Sequence, residues 1–208
     1  MGTVIEAVVF DVDGVLIQSG AFGQQLRMEL GLPSAELERF WRGPFVRCSL
    51  GLADLKTELE PFLRSWGYRG SVEDCVREWL SADSTLNLDV LGEVERLRRL
   101  GLPCHIASTQ EQYRAAYLAG VLGLAERFDR LFFSCHLGAR KPQLEFYQRI
   151  VAELGIVPAA LLLIDDQQLN VDAARSAGWS AELYARGDDL AALLAQHGVG
   201  VTVATAIP

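Results

Sequence analysis

The residues best suited to chemistry are carboxylates that end apolar runs. Val8-Val9-Phe10 leads into Asp11 and, one residue on, Asp13, with Gly14 behind them. Leu161-Leu162-Leu163-Ile164 leads in the same way into Asp165 and Asp166. A short unbroken apolar run reads as a buried strand. Both acid pairs then fall at strand C-terminal ends, where ligands bind in an open α/β sheet. Acids this close repel one another unless a cation or a shared proton holds them. Asp11, Asp13, Asp165 and Asp166 form an oxygen-rich set of the kind Mg²⁺ prefers, with water and a phosphate completing its shell. Two further residues suit the phosphate itself. Ser108 follows a third apolar run, residues 102–107, and Lys141 stands in the loop Gly138-Ala139-Arg140-Lys141-Pro142. Their hydroxyl and ammonium groups would hold phosphate oxygens, and a helix starting after Ser108 would add backbone N–H groups. Taken singly, each residue has a plainer reading: Ser108, Asp165 or Asp166 as a helix cap, Lys141 as a solvated loop lysine.

The elements that must position these residues alternate. The pattern predicts strands over residues 3–10, 102–107, 130–134, 161–164 and 181–184. Between and after them it predicts helices over 89–100, 110–122, 142–154, 169–177 and 188–196. Strands alternating with helices imply right-handed crossovers and a parallel sheet covered on both faces. One stretch breaks the alternation. Helices are expected over residues 21–30, 34–42, 52–66 and 71–80, with no strand between them. Ser71 with Asp74 resembles a capping box at the start of the last. The expected fold class is α/β: a Rossmann-like, doubly wound parallel core over residues 1–18 and 84–208. Residues 19–83 form an inserted all-helical domain, with joints near 18–20 and 81–87.

The ordered set Asp11-x-Asp13-Gly14-Val15, Ser108, Lys141-Pro142 and Ile164-Asp165-Asp166 resembles the haloacid dehalogenase-like hydrolase superfamily. The likeness covers about residues 4–18 and 86–187. It is closest from Lys141 to Tyr184, where Asp165-Asp166-x-x-x-Asn170-Val171-x-Ala173-Ala174 and Ala177-Gly178 stand. The helical insertion resembles the cap of the superfamily's subfamily I. The resemblance implies a phosphatase in which Asp11 attacks phosphorus to form an aspartyl-phosphate. Asp13 would protonate the leaving oxygen and then deprotonate the hydrolytic water. Mg²⁺ would be held by the Asp11 side chain, the Asp13 backbone carbonyl, Asp165 and Asp166, while Ser108 and Lys141 stabilise the transferring oxygens. The dehalogenases of the superfamily lack the second aspartate, so Asp13 points to phosphoester chemistry. One departure is Thr109, where many relatives have Asn; its shorter hydroxyl puts substrate orientation in question.

The remaining features narrow the function classes. A net charge of -8 disfavours nucleic acid, whose phosphates need clustered Lys and Arg. No apolar run is long enough to span a membrane, and the start of the chain lacks the regions of a signal peptide, so a cytoplasmic enzyme is expected. Cys48, Cys75, Cys104 and Cys135 show no CxxC spacing and read as buried small hydrophobes. His105 reads as a packed core residue. The aromatic and basic segment Phe40-Trp41-Arg42-Gly43-Pro44-Phe45-Val46-Arg47 either packs within the insertion or turns Arg42 or Arg47 towards a substrate. The expected partner is a small phosphorylated metabolite, with sugar phosphates and phosphoglycolate-like acids foremost by analogy. A phosphomutase and a catalytically silent binding protein are the rival readings, and oligomeric state is not legible.

Overall fold

Side-chain alternation along the first strand sets up two cores at once. In β1 (Ala7–Phe10), Ala7 and Val9 join one apolar cluster while Val8 and Phe10 join another on the opposite face of the sheet. All four are fully buried, and each large side chain contributes ~1.5–3 kcal/mol by leaving water. The computed structural model describes residues 3–18 and 21–200. Residues 1–2, 19–20 of the first expected joint and 201–208 lie outside the described residues.

After β1 the chain forms β2 (Ile17–Gln18) and enters the insertion: α1 (Ala21–Leu30), α2 (Ser34–Arg42), α3 (Pro44–Ser49), α4 (Leu55–Trp66) and α5 (Val72–Ala82). It returns through β3 (Thr85–Leu86) and α6 (Leu88–Arg99) to β4 (Cys104–Ser108) and α7 (Gln112–Ala116), which a π-helical turn, Tyr117–Val121, prolongs. Then follow α8 (Leu124–Arg127), β5 (Arg130–Phe133), α9 (Ser134–Leu137), α10 (Leu144–Leu154), β6 (Leu161–Asp165), α11 (Gln168–Ser176), β7 (Ser180–Leu183) and α12 (Leu190–Ala195). The main sheet has the order β5-β4-β1-β6-β7, with every pair parallel. β1 lies at its centre. Phe10 is in register with Ile164 of β6 and Ile106 of β4, so Asp11 emerges level with Asp165 and one strand spacing away.

The insertion has a core of its own, in which Phe22, Phe40, Leu59, Trp66 and Trp79 pack together. It holds five helices among the described residues rather than the expected four. Gly43-Pro44 ends α2 but also starts α3, because Pro44 at the first turn has no N–H to lose and its φ is already helical. The capping box expected at Ser71 is present, with Ser71 Oγ accepting from the Asp74 N–H and the Asp74 carboxylate accepting from Ser71 N. Where the chain leaves and re-enters the main domain, β2 and β3 pair antiparallel, Ile17 opposite Leu86. Asn87 fastens this ribbon to the core: its backbone N–H donates to Leu16 O at 2.8 Å and its side chain to Val15 O at 3.1 Å.

Several expected boundaries shift, among them the following. The first strand pairs only from Ala7, where its neighbour β6 begins. The helix expected from Pro142 starts at Leu144, leaving residues 138–143 as a loop that turns Lys141 inward. Ser108 is not a helix cap. It ends β4, and Glu111 caps α7 instead, accepting from the N–H groups of Tyr113 and Arg114. Those N–H groups are therefore occupied and add nothing to an anion site.

Candidate active site

Asp11 follows β1 directly, and its backbone N–H donates to Ile164 O, which fixes it against β6. Its Oδ1 accepts from the Val12 N–H at 2.7 Å, and its Oδ2 lies 2.8 Å from Lys141 Nζ. The same ammonium reaches Asp165 Oδ2 at 2.6 Å. All three side chains are buried. Burial pushes the Asp11 carboxyl up to about 7, with Lys141 opposing the rise and the Asp165 charge adding to it. Burial alone would lower the Lys141 ammonium, but the Asp11 and Asp165 carboxylates beside it hold it above its ordinary value. Asp165 Oδ1 accepts from the Gln167 N–H and from Asn170 Nδ2, both at 2.9 Å, so Asn170 orders the loop around the acid.

Asp166 completes the acidic group. One carboxylate oxygen from each of Asp11, Asp165 and Asp166 can be chosen so that all lie within 4.8 Å of one another. Burial also raises the Asp166 carboxyl, against the hydrogen bond from Gln167. Gly14 makes room for it. Its φ is +84°, and a Cβ there would collide with Asp166 Oδ2. Three carboxylates against the one ammonium of Lys141 leave two negative charges uncompensated when all are ionised. An all-oxygen set with that deficit suits a hard divalent cation such as Mg²⁺.

Asp13 faces a different way. Its Oδ1 accepts from Arg114 at 2.7 Å and its Oδ2 from Gln110 Nε2 at 2.7 Å, so its carboxylate stands outside the acidic group. Gln110 Nε2 also donates to Ser108 Oγ at 2.9 Å. Neither Gln110 nor Arg114 stands out in the sequence. The available signal was a charged residue on the buried side of a helix, since Arg114 precedes Ala115 and Leu118, both buried, and is itself buried. Thr109 Oγ1 is buried and finds no hydrogen-bond partner among the described residues. Arg140, unremarked beside Lys141, is half-buried and joins Asp11, Asp13, Ser108, Thr109 and Lys141 around a cavity of about 360 Å³. A second cavity of about 500 Å³ opens towards the helical insertion and shares Asp13 and Thr109 with the first.

The structure does not bring Arg47 to either cavity. Its guanidinium is exposed and lies 3.4 Å from Glu58, and Arg42 pairs with Glu38 at 3.6 Å on the surface. His105 is buried, with its imidazole held below its ordinary value by burial. In a hollow at the far end of the sheet, lined by Glu95, Arg98, Arg99 and Asp129 among others, Arg98 pairs with Asp129 at 3.0 Å.

Comparison with known proteins agrees with this arrangement. Residues 5–178 match the hydrolase family described as haloacid dehalogenase-like hydrolases. Phosphatase MT3486 of Mycobacterium tuberculosis is 31% identical over 191 residues, covering 88% of each chain. Flavin mononucleotide hydrolase 1 of Arabidopsis thaliana is 39% identical over 66 residues, 32% of this chain and 27% of the plant protein, so that match spans about a quarter of the relative. Among solved structures, the HAD family enzyme bt-2542 of Bacteroides thetaiotaomicron, in complex with magnesium and inorganic phosphate, superposes with a TM-score of 0.78. It is 18% identical, with 91% of this chain and 98% of that one covered. No helix among the described residues is long and apolar enough to cross a membrane. With its family match running over residues 5–178, from just before β1 to the glycine after α11, the chain belongs to the haloacid dehalogenase-like hydrolases.

Proposed function

We propose that this hydrolase is an Mg²⁺-dependent phosphatase that works on small phosphorylated metabolites through an aspartyl-phosphate on Asp11. The observation that carries the reading is the buried Asp11–Lys141–Asp165 set beside Asp166, with Asp13 at the mouth of the same cavity. Asp11, Asp165 and Asp166 would hold the ion, with the Asp13 backbone carbonyl. What Mg²⁺ supplies when bound is charge: two unit charges about 4 Å apart repel by roughly 4 kcal/mol at an effective dielectric near 20, enough to keep a bare phosphate away from Asp11.

The protein groups do the rest. The Asp11 carboxylate attacks phosphorus, and the bond to the leaving oxygen breaks as the new one forms. Asp13, held at both oxygens by Arg114 and Gln110, delivers a proton to that oxygen; it then takes one back from water as the water oxygen bonds to phosphorus and the bond from phosphorus to Asp11 breaks, which releases phosphate and restores both acids. An alkoxide leaving group needs this proton and a halide does not. Lys141 has three N–H donors and gives two to Asp11 and Asp165, which leaves one for a phosphoryl oxygen. Ser108 Oγ accepts from Gln110, so its own O–H is available to donate. The unpartnered Thr109 hydroxyl offers a further donor at the same cavity. Phosphate chemistry is also what the names of the mycobacterial and plant relatives describe.

The test is phosphate release from a panel of phosphorylated metabolites, with Mg²⁺ and with chelator, by wild type and Asp11→Asn. Release is expected with Mg²⁺ only, and the variant should lose ~10³-fold or more. Equal turnover by Asp11→Asn removes the nucleophile assignment. A folded protein that releases phosphate from nothing on the panel overturns the phosphatase reading.

A further inference from the structure

The second cavity says what the phosphate is attached to. It meets the phosphate end at Asp13 and Thr109, so a group leaving towards Asp13 can extend into it. On the side of the helical insertion its apolar lining is Leu37, Trp41, Phe45 and Trp79, with the exposed polar residues Gln24 and Ser34 beside them. The three rings form one cluster: Trp41 and Phe45 have centroids 4.7 Å apart at 78°, Trp41 and Trp79 are 5.4 Å apart, and Phe45 and Trp79 6.0 Å. Yet Trp41 and Phe45 are only half-buried, whereas Phe40 beside them is 1% exposed. Large rings left open in a concave wall hold apolar surface in water that a ligand would cover. Trp79 Nε1 already donates to Asp83 at 3.2 Å, so this indole presents ring rather than a donor to the cavity. Of the charged residues that line it, Arg27 and Glu38 are exposed, while Arg114 is occupied with Asp13 Oδ1 and Asp83 O, whose residues line it too.

We infer that the substrate is a phosphate monoester whose alcohol carries an aromatic or heteroaromatic ring, seated against Trp41 and Phe45. The inference rests on the phosphatase reading of the same site and deepens it. It departs from the sugar phosphates and phosphoglycolate-like acids that analogy suggests. Their hydroxyls and carboxylates would lose water against an aromatic wall. A ring would gain offset or edge contacts with it. The segment suspected from sequence does face a substrate, but through its aromatic residues, Trp41 and Phe45, rather than through Arg42 or Arg47.

Matched probes separate ring from charge and from leaving-group chemistry. Phosphate release is measured on benzyl phosphate, adenosine monophosphate and flavin mononucleotide, on ring-free glycerol 3-phosphate, and on acetyl phosphate, which reports the phosphate end alone. Wild type, Trp41→Leu and Phe45→Leu are compared. At least one ring-bearing probe should exceed glycerol 3-phosphate in kcat/KM by about tenfold. Each variant should lower that probe's ratio to acetyl phosphate by a comparable factor, chiefly through KM. Ring-bearing probes no better than glycerol 3-phosphate, or an equal fall on every probe, overturn the inference. If no probe turns over, acetyl phosphate included, the phosphatase reading fails, and quenching of tryptophan fluorescence by riboflavin decides the cavity separately. Saturable quenching weakened in Trp41→Leu supports a ring site, and its absence removes one.

Discussion

Asp11 shares its site with one ammonium and two other carboxylates, so a proton and the proposed metal would compete for it. Its carboxyl is pushed up to about 7 by burial, so in the metal-free protein the proton is held below that pH and lost above it. The sign for stability follows. A raised folded value means that the Asp11 contribution is full below the unfolded carboxyl range, and is lost as pH rises through about 7. Metal reverses this, because an ion held by the ionised acids favours the form that burial opposes. Apparent Mg²⁺ affinity should therefore weaken towards tenfold per pH unit as pH falls below about 7, with proton release on binding. Calorimetric titration of the metal-free protein between about pH 5.5 and about pH 8 reads both quantities. A flat profile would mean that Asp11 is ionised throughout and that burial is not what governs it. At this scale the sequence was legible where a polar residue ends an apolar run, as at Asp11, Ser108 and Asp165. It was opaque where a polar residue acts from within a helix, as Arg114 does, because its place beside Ala115 and Leu118 is a weak signal until the buried face of the helix is known.

Elements were legible where local chemistry decides them. The apolar runs of β4 and β6 and the reciprocal Ser71–Asp74 cap are set within a few residues. The ribbon of β2 and β3 was not readable, since two short segments far apart in sequence acquire their structure only by pairing with each other. The short helices α8 and α9 have too few residues to show a period. The start of α7 was misplaced for a physical reason. Glu111 is an unusual cap, and here one oxygen accepts from Arg114 N at 2.6 Å and the other from Tyr113 N at 2.9 Å. Burial raises its carboxyl. Glu111→Ala strands both N–H groups in a buried setting and should cost ~1–2 kcal/mol in urea denaturation. Glu111→Gln keeps one acceptor oxygen and should recover about half of that loss. If alanine and glutamine variants unfold at the same midpoint as wild type, the start of α7 is held by packing and not by this cap.

Across the whole molecule, the helical insertion and the sheet domain meet around the site rather than beside it. Ser134 Oγ donates to Ser49 O at 2.6 Å, and Tyr113 OH donates to Asp54 at 2.6 Å, with the Lys56 ammonium over the tyrosine ring. Arg114 joins the two parts through Asp13 and Asp83. One guanidinium nitrogen donates to Asp13 and another, at 3.0 Å, to Asp83 O, where the insertion returns to the sheet domain. That an insertion exists was legible from an all-helical stretch in an alternating chain. How it docks was not, because Phe40, Trp41, Phe45 and Trp79 are all aromatic and only the docked geometry separates core from cavity wall. Arg114→Met keeps reach and bulk but removes both donors. Asp13 is 34% exposed and so retains water, which sets the expected cost between a surface pair and a fully buried one, at ~2 kcal/mol. Losing one of the two groups that aim Asp13 should lower kcat by ~10–100-fold with a smaller change in KM. Arg114→Lys restores the charge, yet one ammonium cannot reproduce the fork that spans Asp13 and Asp83, so it should regain stability more than kcat. Urea midpoints and phosphate-release kinetics on the same preparations check this. A destabilised Arg114→Met with wild-type kcat would show that Arg114 joins the two parts of the molecule without orienting Asp13.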